Sequence, residues 1–301
     1  MKPADESDDP YTTTLPKPAQ TPLFRASQIA RYQRQQDVHT IEAATGRRLI
    51  CYIATPQALL RRSDVAGFAD LVHDVEEESD LDVMITTYGG DPDAALRIAY
   101  LLRKAVPQGR LTAVIPDAAK SAGTILAAGM DAIIMSDTSE LGPVDPQINI
   151  PAVNGTEVRR PAMAYIAAYE DAVIRAAAAD ATAPVWEEIR LLFDPTTLTL
   201  CRQAVARTRD YIELLLRERK QPGTTFTQVA GNLLVPSRNS THGSVITADE
   251  ANTIGLDVEC LSRGSHLWQA YWRLYCLQML SLQPGERLFE SGRVSLSLPP
   301  E

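Results

Sequence analysis

The chain has 301 residues, 45% of them hydrophobic, enough to bury a core of ordinary size in one large domain or one domain with an insertion. Its apolar runs, such as Ile125 to Met135 with Gly129 and Asp131 inside it, fall short of the roughly 18 residues that a spanning helix needs, so no transmembrane segment is expected. A net charge of -9, with scattered arginines and no basic block, gives no footprint for phosphate backbones and argues against nucleic acid as a partner.

Met1 to Thr21 is acidic and rich in Pro and Thr, without the apolar run of a secretory signal. It reads as a disordered leader on a cytoplasmic protein. Phe24 to Ala43 has helical spacing, and Arg48 to Ala54 (RLICYIA) suits a buried strand. Ser63 can cap a helix through Val75, and Leu81 to Thr87 (LDVMITT) reads as a second strand. After a Gly-Gly turn come a helix over Pro92–Val106, a strand over Arg110–Ile115, a helix over Ser121–Gly129 and a strand over Ala132–Ser136. This alternation predicts a parallel sheet with helices on its faces.

QINIPAVNGTEVRR then reads as a hairpin turning at Asn154-Gly155. Helical spacing resumes over Ala162–Asp180, Thr197–Lys220 and Phe226–Leu234, with Pro184 and Pro222-Gly223 as breaks. Thr247 to Gly255 is a capped helix, because Glu250 follows Thr247 by three residues and a glycine ends it. A last helix over Leu267–Leu282 carries Trp268, Tyr271, Trp272 and Tyr275, a stripe that suits a core face more often than the alternative, an oligomer or partner surface. Cys51, Cys201, Cys260 and Cys276 stand far apart without CxxC spacing and read as core thiols, neither zinc ligands nor a disulfide framework.

Acyl transfer needs a nucleophile on a sharp turn, donors aimed at the developing oxyanion, and an oriented base. In TTYGGDPDAALRIA, Gly89-Gly90 stands where a strand becomes a helix, so bare N–H groups can meet a substrate. In PDAAKSAGTILAAG, Ser121 occupies the same kind of turn one unit later, and the Ala122 N–H follows it. Either motif alone often only caps a helix; in this order and one β-α unit apart they describe an oxyanion hole beside a nucleophile. Asp91 and Asp93 read first as caps of the helix after Gly90 and second as substrate contacts, while Ser139 and Glu140 fit a strand-end turn or the lining of the cleft equally well. Pro143 and Pro146 restrict the backbone around Asp145. His39, His73 and His266 read as surface or packing residues, and no metal cluster forms from them.

YGGDPDAA, then KSAGTILAAGMDAIIMSDTSELGPVDPQI, then THGSVITADEANTIGL resemble the serine dehydrogenase proteinase family, a relative of Clp peptidase and signal peptide peptidase A. The resemblance covers Arg48–Ile148 and Thr241–Leu256. It implies an α/β fold: a Clp peptidase/crotonase-like parallel β-sheet core with flanking helices, a helical insertion and a C-terminal helix. The division is then a leader (1–23), an α/β core (24–160), a helical insertion (161–240), completion of the core (241–264), and a C-terminal helix with a tail (265–301). It also implies an ATP-independent serine peptidase acting on peptides or proteins, without cofactor, as a homo-oligomer with the insertion as a lid. By resemblance Ser121 is the nucleophile, and Gly89, Gly90 and Ala122 form the oxyanion hole.

The sequence departs from Clp peptidase at the base. The segment that carries the Clp triad His falls here on Val144-Asp145, and the Clp triad Asp falls at or beside His242. Two coincident exchanges suggest a swapped triad, with His242 as base and Asp145 as orienter, since roles and not chain order define such a site. The rival is a Ser-Lys dyad, but none of the five lysines is well placed: Lys120 adjoins Ser121 without facing it and either adds positive potential near the site or, the preferred reading, faces solvent. Two other readings stay open. One is crotonase-like acyl-CoA processing through the same backbone hole, and the other is a catalytically weak oligomeric scaffold.

Overall fold

A computed structural model describes residues 20–151, 156–178, 183–219, 226–234 and 242–300. Two helices, α1 (Pro22–Ser27) and α2 (Ile29–Thr45), lead into β1 (Arg48–Ala54). The β-α alternation continues with α3 (Asp64–Leu71), β2 (Leu81–Thr86), α4 (Pro92–Ala105), β3 (Leu111–Val114), the two-residue β4 (Ala118–Ala119), α5 (Ala122–Ala128) and β5 (Ala132–Met135). Next come β6 (Glu140–Leu141) and the antiparallel pair β7 (Gln147–Pro151) and β8 (Glu157–Pro161). The Asn154-Gly155 turn expected between that pair lies outside the described residues. Helices α6 (Ala162–Ala177), α7 (Ala183–Leu192), α8 (Pro195–Glu218) and α9 (Phe226–Leu234) form the helical segment. The chain closes through α10 (Ala248–Ile254), β9 (Val258–Cys260), α11 (His266–Leu280), β10 (Arg287–Ser291) and β11 (Ser295–Leu298).

The main sheet has seven strands in the order β11-β10-β1-β2-β3-β5-β9. From β1 to β9 all neighbours are parallel, and both faces are covered by helices, which is why RLICYIA and LDVMIT read as nearly unbroken apolar runs. The period of two divides them between two cores. Ile50, Tyr52, Val83 and Ile85 face α3, α4 and α5 through Phe68, Ile98 and Leu126. Leu49, Cys51, Ile53 and Met84 face α2 and α11 through Val38, Ile41, Trp268 and Tyr271. The aromatic stripe of α11 is thus core, with Trp268, Tyr271 and Tyr275 buried. Helix α8 packs on α4 and α5, and so lies on the first of these faces.

Several features differ from the sequence reading. The helical stretch expected from Phe24 is two helices, and α1 begins at Pro22, inside the stretch read as a leader, of which residues 1–19 lie outside the described residues. The segment read as a tail forms β10 and β11, which extend the sheet antiparallel to β1. Its pattern hides because three of the five β10 residues are polar and yet buried. Glu290 accepts from Arg34 Nε and Nη2 at 2.9 Å each, and Arg287 stands 2.8 Å from Asp64. Helix α7 was concealed by Pro184, which occupies the second helical position, where a missing N–H costs nothing. Finally, Cys51 and Cys201 are buried, but Cys260 is exposed and Cys276 half-buried, so two of the four are not core thiols. Among the described residues no helix is long and apolar enough to cross a membrane.

Candidate active site

Beyond the carboxyl ends of the parallel strands, a second line of backbone pairing runs across the molecule. Leu60 pairs with Gly90, Thr87 with Ala119, β4 with β6, and Leu141 with Ile246. The loops after β1, β2, β3 and β5 are thereby zipped side by side at the edge where open α/β sheets place their sites. Thr124 reinforces the zip: its hydroxyl donates to the Ala119 carbonyl at 2.7 Å and accepts from the Gly142 N–H at 3.1 Å.

This ladder brings the two glycine and serine motifs into contact. Gly89 and Gly90 have φ of +127° and +151°, values that side-chain-bearing residues rarely adopt. A Cβ on Gly90 would stand 2.2 Å from the Leu60 carbonyl oxygen, and one on Gly89 would stand 3.3 Å from the Ser121 Cβ. Ser121 itself has φ +52°, and among the described residues it is alone outside glycine in taking a positive φ. Such a backbone costs on the order of 1–3 kcal/mol, and strain of this kind clusters at functional sites. Ser121 is the N-cap of α5, yet its hydroxyl makes no capping bond. Among the described residues the Ser121 Oγ has no hydrogen-bond partner, and it stands beside Gly89 with the Ala122 N–H next in the chain.

Asp145 and His242 meet across the antiparallel pairing of Leu141 with Ile246. Asp145 lies four residues after Leu141 and His242 four before Ile246, so extending the register sets them opposite each other. His242 Nδ1 stands 2.8 Å from Asp145 Oδ1, while Gln147 donates to the other carboxylate oxygen at 3.2 Å. The Asp145 side chain is 9% exposed and the His242 ring 32%, so the carboxylate is enclosed and the ring partly open. An imidazole held at Nδ1 by a carboxylate keeps Nε2 available for proton transfer.

Around this centre, Asp91 caps α4 as the sequence suggested, accepting from the Asp93 N–H at 2.8 Å. Asp93 does more than cap, because Tyr211 of α8 donates to it at 2.8 Å and Arg62 at 2.6 Å. Burial works against its charge, but these two hydrogen bonds, together with the positive charges of Arg207 and Arg62, outweigh it and hold the carboxyl below its ordinary value. Tyr88 and Tyr275 both donate to Asp117 Oδ2, which ties the hole loop to α11. Burial, with that carboxylate beside it, pushes the Tyr88 phenol well up, so it stays a donor.

Lys120 is the clearest correction. Its side chain is 16% exposed and paired with Glu140 at 2.9 Å, not solvated. Nothing in the order of residues signals either Lys120 or Thr124, since each acts on a strand from elsewhere in the chain. His39 stays on the surface against Glu42, as expected. Among the described residues no group of three or more His, Cys, Asp or Glu side chains gathers to hold a metal.

A mostly parallel sheet with helices on its faces, crossed at its carboxyl edge by this ladder, is the ClpP-like class of α/β fold. The chain belongs to the family of ClpP-like SDH-type serine proteinases, whose model matches residues 27–182. That span contains Gly89, Gly90, Ser121, Ala122 and Asp145 and ends before His242. Two uncharacterised proteins of Methanocaldococcus jannaschii are similar. One is 29% identical over 183 residues, 61% of this chain and 54% of its own, so that the chain spans about half of its length. The other is 25% identical over 236 residues, 75% of this chain and 71% of its own. A solved mutant of the 1510-N membrane-bound stomatin-specific protease is 16% identical, covers 71% of this chain and 80% of its own, and superposes with a TM-score of 0.43.

Proposed function

We propose that the protein cleaves peptide bonds with Ser121 as nucleophile, His242 as general base and Asp145 as the group that orients it. The observation that carries this reading is the 2.8 Å contact between His242 Nδ1 and Asp145 Oδ1, on a segment that continues from β6, which pairs with β4 two residues before Ser121; among the described residues no hydrogen bond joins His242 to Ser121. Ser121 Oγ attacks the scissile carbonyl carbon as His242 Nε2 takes the hydroxyl proton. The oxyanion is met by the N–H groups of Gly90 and Ala122, and by that of Gly89 once it turns from the Thr87 hydroxyl, to which it donates at 3.4 Å. Collapse breaks the C–N bond, the proton passes from His242 to the leaving amine, and an acyl ester remains on Ser121. Water, deprotonated by the same imidazole, then releases the acid and restores the hydroxyl. The strain at Ser121 favours this assignment, because it frees the hydroxyl from the capping bond that serine ordinarily makes at a helix start.

Intact-mass recording after treatment with a fluorophosphonate tests the reading. One adduct is expected on the parent, none on Ser121→Ala, and labelling slowed by at least about a hundredfold in His242→Ala and Asp145→Ala. Labelling that ignores His242 would reject it as the base, and a folded parent that takes no adduct would reject the nucleophile.

We also infer that the protein works without ATP, in the cytoplasm, as a homo-oligomer. Support for assembly comes from exposed Leu23, Phe24 and Ile29 near the amino end and Leu280 at the end of α11, apolar side chains of the kind that subunit contacts cover. Sedimentation that finds only monomer across the micromolar range would remove the assembly from this reading.

A further inference from the structure

Lys120 sits where three segments converge. Its own N–H donates to the Thr87 carbonyl at 2.9 Å, fixing the start of the Ser121 turn against the hole loop. Its stem lies along Gly142, where an added Cβ would come 3.2 Å from both Lys120 Cβ and Cγ. Its ammonium stands 2.9 Å from Glu140 Oε1 and donates to the Gly243 carbonyl at 3.1 Å. Glu140 belongs to β6, whose chain runs on to Asp145, and Gly243 is the residue after His242. One side chain therefore touches the segments that carry the proposed nucleophile, orienter and base.

We propose that Lys120 is a positioning residue, a latch that holds the His242 segment against the Ser121 turn. The proposal rests on the Ser121–His242–Asp145 reading above. Gly243 is exposed, and only beyond it does Ile246 exchange both backbone bonds with Leu141, at 3.0 Å each. The ammonium thus grips the exposed stretch between that pairing and the imidazole. Hydrogen bonds from an ammonium are about twice as strong as neutral ones, and a side chain this enclosed is poorly screened by salt. An engaged donor of this kind also differs from a Ser-Lys dyad, in which the lysine must offer a lone pair to the serine. Here Nζ is directed to two acceptors on other strands.

The test uses the full chain and the rate of fluorophosphonate labelling. Lys120→Met keeps the stem along Gly142 and removes the ammonium; labelling should slow about tenfold, since sub-ångström displacement of a catalytic group costs rates of that order. Lys120→Arg, which can still reach an acceptor on each strand, should recover most of the loss. Glu140→Gln leaves the lysine in place and should slow labelling about threefold, the smaller effect of removing one charge-assisted partner. The decisive arm is Lys120→Met placed on His242→Ala, where no further slowing is expected because the latch acts through the imidazole. The proposal is overturned if Lys120→Met and Glu140→Gln both label at the parent rate, or if Lys120→Met slows the His242→Ala protein by the same factor as the parent. If His242→Ala alone labels like the parent, the triad reading itself falls, an outcome separate from a latch that fails while His242 matters.

Discussion

The seven-stranded sheet and the crosswise ladder are neighbouring parts of one backbone, yet different forces hold them. The sheet is sandwiched: every residue of β2 is buried, and Tyr52, Phe68 and Phe289 meet with ring centroids 5.1–5.6 Å apart. The ladder consists of short pairings, four of its rungs being Leu60–Gly90, Thr87–Ala119, Ala119–Leu141 and Leu141–Ile246, tightened by the side chains of Thr124 and Lys120. Packing gives the first its stability, while directed hydrogen bonds give the second its geometry. A fold of this kind can therefore hold a strained serine on its edge without straining its core.

Substitutions in the two regions should separate accordingly. Phe289→Ala removes one ring of the aromatic cluster and should cost about 3–5 kcal/mol in denaturant titration, while the folded fraction labels at the parent rate. Slower labelling of the folded fraction would mean that the two regions are coupled. Gly90→Ala drives a methyl into the Leu60 carbonyl and disturbs the hole; labelling should fall about a hundredfold, or roughly 3 kcal/mol of transition-state stabilisation. A parent-like rate would remove Gly90 from the site. Thr124→Val keeps the shape but strands buried backbone groups of Ala119 and Gly142, for a loss of about 1–3 kcal/mol accompanied by slower labelling. Loss of stability alone would reduce Thr124 to packing.

The smallest effect concerns acid. Because the folded Asp93 carboxyl is held below its ordinary value, its contribution is present above the unfolded value, near 3.9, and is lost as pH falls through the folded one. The acid unfolding curve of Asp93→Asn should therefore be shallower than the parent's below about pH 4, with the difference shrinking in high salt. Identical curves would show that Tyr211 and Arg62 do not stabilise the charge.

The same contrast explains what the sequence made legible. The sheet declares itself, because RLICYIA, LDVMITT and AIIM are apolar runs between helices of ordinary length, and each appears as a strand. Gly89-Gly90 and Ser121 were legible for a local reason, since a strand-to-helix turn that brings backbone close to substrate needs small or strained residues. The exchange at Val144-Asp145 and His242 could be noticed by resemblance, but the register that sets them opposite each other depends on the Leu141–Ile246 pairing, which no local pattern encodes. Strands β10 and β11 escaped for a related reason: Arg287 and Glu290 look like surface residues until Asp64 and Arg34 arrive from distant parts of the chain. Lys120 escaped most completely, because its partners on β6 and beside His242 are neighbours only in the folded protein.

The central claim is that the Asp145–His242 pair serves Ser121, and a crystal structure of the phosphonylated protein measures it directly. Phosphorus should be bonded to Ser121 Oγ, with a phosphoryl oxygen facing the Gly89, Gly90 and Ala122 N–H groups and His242 Nε2 within about 3.2 Å of Oγ. An adduct on Ser121 with the His242 ring turned away, and another basic side chain at hydrogen-bond distance from Oγ, would contradict it.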